Sequence, residues 1–409
     1  MPDKFTDVTT VGYGKRIMDS IGGIVVGLIL FIASFFVLYN NEGSFDYSQI
    51  AKTAVQISAS QEVTDPALKD KLVVTSGLLE SDELIDDGLY LKPWKYLALE
   101  SKGEMYAWVE KKSTSTQKNI GGSETKTTTY DYAKEWTANP ADSSTFAHPD
   151  GHSNPPMMFT NVSKRVSKAT LGIFNVQMQS ISLPALTPLA LNSEKTNIQL
   201  VPPATGSQIS AGIGTQQTTS QQTAPMHGSV QLIGSDYIYV TADGSTYSTP
   251  IVGDLRISYS VLYGGTDVTI FGKLNEKTFV PFVDNDNHKL FQIFLGTKDE
   301  AISELHESFV MWKWIWRGIG FAMMWFGLSM ILGPISVLAD VLPILGSISG
   351  SIIGVVTFIA ALVLSGVTIL IAMVFHSVVA LVVAVIAIVA AGYFILRGKS
   401  KPPNTARPQ

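Results

Sequence analysis

The chain of 409 residues contains no cysteine. That excludes a disulfide framework, thiolate-bound zinc or iron–sulfur centres, and a cysteine nucleophile. Charge is also scarce: 15% of residues are Asp, Glu, Lys or Arg, against roughly 25% in an ordinary soluble domain. Basic excess is missing, with 29 Lys and Arg against 34 Asp and Glu, so a cationic nucleic-acid binder is excluded. The shortage is local. From Gly318 to Leu396 the one ionised side chain is Asp340, and Ser20 to Asn41 holds none. Such blocks exclude a single soluble globular domain and a disordered chain. What is present is a membrane protein with a large water-facing insert.

The apolar run from Ile21 to Tyr39 matches the roughly 20 residues that cross a bilayer. It is longer than the apolar core of a secretory leader and no small-x-small cleavage site follows, so it reads as an uncleaved anchor. The C-terminal block has the length of three more helices. Pro334 and Pro343 bracket Asp340 and give one break; Phe375-His376-Ser377 gives a second. The expected fold class is therefore membrane α-helical, with four transmembrane helices and a large β-rich α+β extracytoplasmic domain inserted between helices one and two. The expected divisions are 1–19 (cytosolic), 20–40 (helix one), 41–311 (outer domain), 312–396 (helices near 314–333, 348–374 and 377–396) and 397–409 (cytosolic tail). Lys4, Lys15 and Arg16 precede the first helix, and Arg397, Lys399, Lys401 and Arg407 follow the last. The positive-inside bias places both termini in the cytosol. The segment from Tyr39 to Met311, with 20 basic and 30 acidic residues, lies outside.

Within that segment a helix is expected near 47–56, and strands at 71–77, 105–109 and 127–132, from their β-branched and aromatic content. Gly121-Gly122 reads as a hairpin turn between the last two. A second group of strands follows at 235–241, 256–261 and 267–273, with hairpin turns at Asp243-Gly244 and Gly264-Gly265. Between the groups, 193–226 is rich in Ser, Thr, Gln, Gly and Pro and reads as a flexible excursion. Residues 299–316 read as a helix approaching the membrane, with Trp312, Trp314 and Trp316 as interfacial anchors.

Several strings, in order along the chain, resemble the LUMA family, also called transmembrane protein 43. They are Asn41-Glu42-Gly43, Glu104-Met105-Tyr106-Ala107-Trp108-Val109-Glu110, Tyr130-Asp131-Tyr132 with Glu135-Trp136, and His152-Ser153-Asn154-Pro155. Val252-Gly253-Asp254-Leu255-Arg256-Ile257-Ser258, Val280-Pro281-Phe282 and Leu338-Ala339-Asp340-Val341-Leu342-Pro343 complete the series. The resemblance implies a four-helix membrane protein whose loop faces the endoplasmic reticulum lumen. In animals it implies the endoplasmic reticulum and inner nuclear membrane, a role in organising membrane protein complexes, emerin and lamins as partners, and self-association. In a bacterium it implies the inner membrane. Glu42, Gly43, Trp108, Asn154, Asp254, Arg256 and Asp340 are the family-motif positions taken as interaction candidates.

Residue chemistry adds few sites. No catalytic constellation, nucleotide fingerprint or cofactor motif stands out, so no enzyme activity and no cofactor is expected. His148-Pro-Asp-Gly-His152 reads as an exposed turn, and Asp284-Asn-Asp-Asn-His288 as a hairpin turn that fails the EF-hand template. Asp254 and Arg256 share a strand face and read as a structural ion pair, with a partner surface as the alternative. Asp340 reads as an exposed loop cap, with a gating or partner contact as the alternative. Gly23 with Gly27, and Gly350 with Gly354, fit the small-xxx-small pattern that lets helices approach closely. Packing within one bundle and association between chains both stay open there. The expected function is a membrane scaffold contacting the lipid bilayer, other membrane proteins and a second copy of itself, with no nucleic acid; a transport- or channel-linked component is the alternative.

Overall fold

The computed structural model describes residues 3–62, 66–68, 70–198, 229–241, 245–340 and 343–376, together with Val382 and Ile386. Five helices are seen among them: α1 (Tyr13–Glu42), α2 (Tyr47–Lys52), α3 (Lys298–Ile331), α4 (Gly333–Ala339) and α5 (Pro343–His376). The strands begin with β1 (Asp3–Val11), β2 (Val55–Gln56), β3 (Leu72–Glu80), β4 (Tyr96–Lys118), β5 (Glu124–Thr137) and β6 (Ser163–Arg165). Next come β7 (Lys168–Leu171), β8 (Phe174–Gln177), β9 (Thr187–Pro188), β10 (Val230–Ile233), β11 (Tyr237–Val240) and β12 (Leu255–Tyr263). The last are β13 (Thr266–Asn275), β14 (Thr278–Val280), β15 (Phe282–Val283), β16 (Lys289–Leu290) and β17 (Gln292–Leu295).

The chain divides into two compact units. Unit 1 holds Met1–Asp7, Tyr47–Ser113 and Thr128–Glu304; unit 2 holds Val8–Asp46, Thr114–Thr127 and Leu305–Gln409. Residues 114–127, the tip of the β4–β5 hairpin, thus group with the helices.

Unit 1 is built on two sheets. One runs in the order β1-β5-β4-β12-β11-β10, with β6 on β4 and β9 on β12. Along β4 the side chains of Ser101, Met105 and Ala107 are buried while Glu100, Lys102, Glu104 and Tyr106 point away, the period-two alternation of a sheet with one covered face. The other sheet runs β17-β13-β14-β8-β7-β3-β2, and β3 pairs back onto β13. Strands β13, β14, β8, β7 and β3 therefore close into a five-stranded barrel filled by Leu79, Leu171, Phe174, Val176, Val268, Ile270 and Phe279. A second core, with Leu99, Met105, Ile238, Leu255, Ile257 and Val261, lies under the first sheet. Gly121 and Gly122, at φ 88° and 81°, make the β4–β5 turn as their pairing suggests. Gly264-Gly265 does not make a hairpin. β12 pairs with β4 and β11 while β13 pairs with β3, so this turn passes the chain from one sheet to the other. The observed hairpin nearby joins β10 to β11 through Gly234, at φ 59°. Asp243-Gly244 and most of the 193–226 excursion lie outside the described residues.

Unit 2 corrects the expectation of four transmembrane helices. Among the described residues two helical stretches are long and apolar enough to cross a membrane, Tyr13–Lys52 and Ile352–His376, or three if Lys298–Ile331 and Gly333–Ala339 form one bent span. The physical reason lies in α3. It starts at Lys298 and keeps charges as far as Arg317, which leaves 14 apolar residues to Ile331, about 21 Å at 1.5 Å per residue. That is shorter than roughly 30 Å of hydrocarbon. Only by adding α4, across a 43° bend just ahead of Pro334, does it reach spanning length. The expected helix at 377–396, the turn before it and the 397–409 tail lie outside the described residues. α1, α3 and α5 pack around Leu38, Met324 and Ala361, with Phe31, Phe35, Phe321, Trp325 and Leu364 against them.

Candidate functional site

The first candidate is the outward face of the β4–β12 pair in unit 1. Register sets Arg256 directly opposite Glu104, and the guanidinium binds that carboxylate at 2.6 Å and 2.7 Å. The same guanidinium lies over the rings of Trp136 and Tyr237, 4.9 Å from each centroid. Trp136 continues to Tyr106 at 5.3 Å and to Tyr247 at 6.5 Å. Burial pushes the Glu104 carboxyl up, but hydrogen bonds from Lys102 and Arg256 outweigh it and hold the group below its ordinary range. The expected Asp254–Arg256 pair is corrected. Asp254 is buried just ahead of β12, where it accepts from Tyr239 Oη at 2.6 Å, Ser245 Oγ at 2.9 Å and the Ile251 N–H at 2.8 Å. Burial, and then the bond to Asp254, push the Tyr239 phenol up to about 12.

Trp108 and Asn154 meet next to this face. The Asn154 amide accepts from the Trp108 N–H at 2.7 Å and donates to the Trp108 carbonyl at 2.9 Å, so one side chain replaces a neighbouring strand. Lys134 Nζ sits 4.7 Å over the Trp108 ring. In His148-Pro-Asp-Gly-His152 the Pro149-Asp150-Gly151 turn is exposed, but the histidine that follows it is not. His152 is buried, stacked 4.0 Å from Tyr132 and edge-on to Trp108 at 4.8 Å. Its Nδ1 meets the His148 carbonyl at 2.9 Å and its Nε2 meets Asp3 at 3.1 Å. Phe5 stacks on His148 at 4.5 Å. Tyr132 donates to Glu110 at 2.5 Å and accepts the His148 N–H at 2.9 Å; burial, then Glu110, push its phenol up to about 12. Asp284, Asp286 and His288 bring their ligand atoms within 4.8 Å of one another. Asp284 there accepts the N–H groups of Asp286 and His288 and meets His288 Nδ1 at 2.9 Å, the bonding of a turn.

The remaining candidates lie in unit 2. Glu42, fully buried at the end of α1, takes a two-pronged contact from Arg317, at 2.7 Å and 2.9 Å, and a third from Lys313 at 3.3 Å. Gly43 is held against His376; a Cβ there would come within 2.5 Å of the imidazole. Asp340 is not an exposed cap: its side chain is 1% exposed and binds Arg16 at 2.6 Å and Lys118 at 2.7 Å. Gly27 faces Gly327 of α3, where an added Cβ would lie 2.7 Å from the Gly327 carbonyl; this is packing within one chain. At Gly23 an added Cβ would meet only Met330 Cε at 4.0 Å, and at Gly354 nothing within 4 Å. The Gly354 carbonyl accepts from Trp325 Nε1 at 3.2 Å. Gly350 lies in the backbone of α5.

The partners of these residues went unforeseen, among them Glu104 for Arg256, Arg317 and Lys313 for Glu42, and Arg16 and Lys118 for Asp340. Glu104 follows from register, which sequence does not supply. Arg16 and Asp340 are 324 positions apart, and no local pattern joins them.

Apolar helices joined to a β-rich body of sheet and barrel define a membrane protein. Comparison with known proteins gives the family: the model of Transmembrane protein 43 matches residues 105–378, and the chain belongs to that family. Transmembrane protein 43 of Mus musculus is 24% identical over 361 residues, covering 83% of this chain and 81% of its own. The Homo sapiens protein is 25% identical over 353 residues, with 81% and 79% covered. The Transmembrane protein 43 homolog of Drosophila melanogaster is 23% identical over 315 residues, with 74% of each chain covered. No solved structure matches the chain.

Proposed function

We propose that this membrane protein is a non-enzymatic scaffold that organises membrane protein complexes, with the β-rich unit as its partner-binding part. The observation that carries the reading is the Arg256 face. Trp136 and Tyr237 stand half-buried against the guanidinium, with Tyr106 and Tyr247 against Trp136, and aromatic residues with arginine are the side chains that dominate binding at protein interfaces. The acids around it, by contrast, are held by the fold: Asp254, Glu104 and Glu110 each bind neighbouring groups, which favours a structural role over proton transfer.

The partners are other membrane proteins in the same bilayer, a second copy of the chain among them. Emerin- or lamin-type partners apply in a eukaryotic host, where the site is the endoplasmic reticulum and inner nuclear membrane; in a bacterium it is the inner membrane. Proximity labelling from a tag on unit 1, comparing wild type with Trp136→Ala/Arg256→Ala at matched abundance, tests this. Loss of a reproducible set of membrane-protein neighbours in the variant is expected. An unchanged set would overturn the reading.

A further inference from the structure

Strand register in unit 1 draws one stripe of side chains across the outward face of the first sheet. β4 and β5 are the two arms of a hairpin, and across them Tyr106 meets Trp136 while Trp108 meets Lys134. On the other side of β4, Arg256 of β12 stands opposite Glu104. Side chains two apart on a strand share a face. Glu104, Tyr106 and Trp108 therefore line up with Arg256 on one flank and Trp136 and Lys134 on the other.

The stripe is positive although the sequence around it is acidic. Residues 39–311 hold 20 basic and 30 acidic side chains, yet Lys102, Arg256 and Lys134 face a single acid here, Glu104. That acid is already engaged: Lys102 holds one of its oxygens at 2.9 Å and Arg256 the other at 2.6 Å. Glu110, further along β4, accepts from Tyr132 and from the Ala147 N–H. Lys134 is exposed, rests 4.7 Å over the Trp108 ring and forms no ion pair among the described residues. A cation over a ring keeps its charge, and the ring fixes where that charge stands. Glu104 takes Nε and Nη2 of Arg256, and the guanidinium fork has a further amino group, Nη1.

We propose that the partner segment docking on this stripe is acidic, with carboxylates that meet Lys134 and Arg256 Nη1 and apolar groups that cover Trp136, Tyr106 and Tyr237. The proposal rests on the scaffold reading above and adds the chemistry of the partner. Fixed cations opposite a partner's carboxylates set the register of docking and exclude cationic competitors. A lipid surface fits this stripe poorly. Rings that enter a bilayer stand free of the fold, whereas Trp108, Trp136 and Tyr237 are half-buried and lie beneath cations.

The probe is a fluorescein-labelled peptide of alternating Glu and Ser, with its Gln–Ser counterpart as the uncharged control. Each is titrated by fluorescence anisotropy against the full-length protein in phosphatidylcholine nanodiscs. The acidic peptide is expected to bind and the control is not. Lys134→Glu should weaken binding about threefold or more, because an exposed attraction becomes a repulsion, and Lys134→Gln should weaken it less. Lys289→Glu, the same change of charge at an exposed position outside the stripe, should leave binding unaltered. Equal binding of the two peptides, binding of neither, or equal losses from Lys134→Glu and Lys289→Glu would overturn the proposal. Lys134-dependent capture by phosphatidylserine vesicles in place of the peptide would do the same. The scaffold reading fails on a different result, an unchanged set of neighbours around Trp136→Ala/Arg256→Ala. If that set is lost while the acidic peptide does not bind, the acidic partner alone is refuted.

Discussion

Asp254 accepts hydrogen bonds from Tyr239, Ser245 and the Ile251 N–H in a site closed to water. Removing it strands several buried donors at once, each worth about 1–3 kcal/mol. Arg256, two residues on, is partly exposed, and its truncation removes an ion pair and two ring contacts worth on the order of 2 kcal/mol together. Asp254→Ala is expected to lower the Tm of the detergent-solubilised protein more than Arg256→Ala does; the reverse order would contradict these assignments. Tyr132 and Tyr239 supply a pH signature. Both phenols are raised to about 12 from an ordinary 10. A group raised on folding contributes stability that is complete below its unfolded pKa and lost as pH rises through the folded one. Ultraviolet titration of phenolate should show Tyr132 ionising near pH 12, identified by difference against Tyr132→Phe. Unfolding should accelerate between about pH 10 and 12, and ionisation of Tyr132 at pH 10 in the folded protein would refute its burial against Glu110.

At the scale of elements, glycine position decides how α1 meets α3. Gly27 and Gly327 face one another so closely that any Cβ at either must displace backbone, whereas Gly23 has room. Overpacking of this kind costs about 1–3 kcal/mol or more. Gly27→Leu should therefore destabilise the bundle or abolish its folding, while Gly23→Leu is tolerated, both read by thermal unfolding in detergent. The Gly-xxx-Gly spacing was legible in the sequence; which glycine sits at the crossing was not, because that depends on the rotation of α1 about its axis. Likewise β3, β4, β5, β12 and β13 lie where β-branched and aromatic residues cluster, since local composition reports strand formation. Their pairing was not legible: Gly264-Gly265 looks like a hairpin turn, yet the closure of β3 onto β13 draws the two flanking strands into different sheets. α3 misled in a similar way. Its Trp-rich half read as an approach to a separate membrane helix, and backbone continuity through Arg317 joins both into one element.

For the molecule as a whole, family and membrane character were readable from ordered motif strings and blocks without charge, because both are properties of the linear chain. The candidate sites were readable only in part. Glu42, Trp108, Asn154 and Arg256 do lie in structured constellations, but their partners come from distant segments: Arg317 for Glu42, Glu104 for Arg256, Arg16 and Lys118 for Asp340. Burial reversed two readings, since an acid between prolines and a histidine in a Pro-Asp-Gly turn both look solvated until their partners are placed. The proposed scaffold role rests on the aromatic face around Arg256, and its most direct test is site-specific photo-crosslinking in native membranes. A photoreactive residue at Trp136 should yield discrete adducts with other membrane proteins, while the same residue at the exposed Ile173 should not. Equal adducts from both positions, or none from Trp136, would contradict the role.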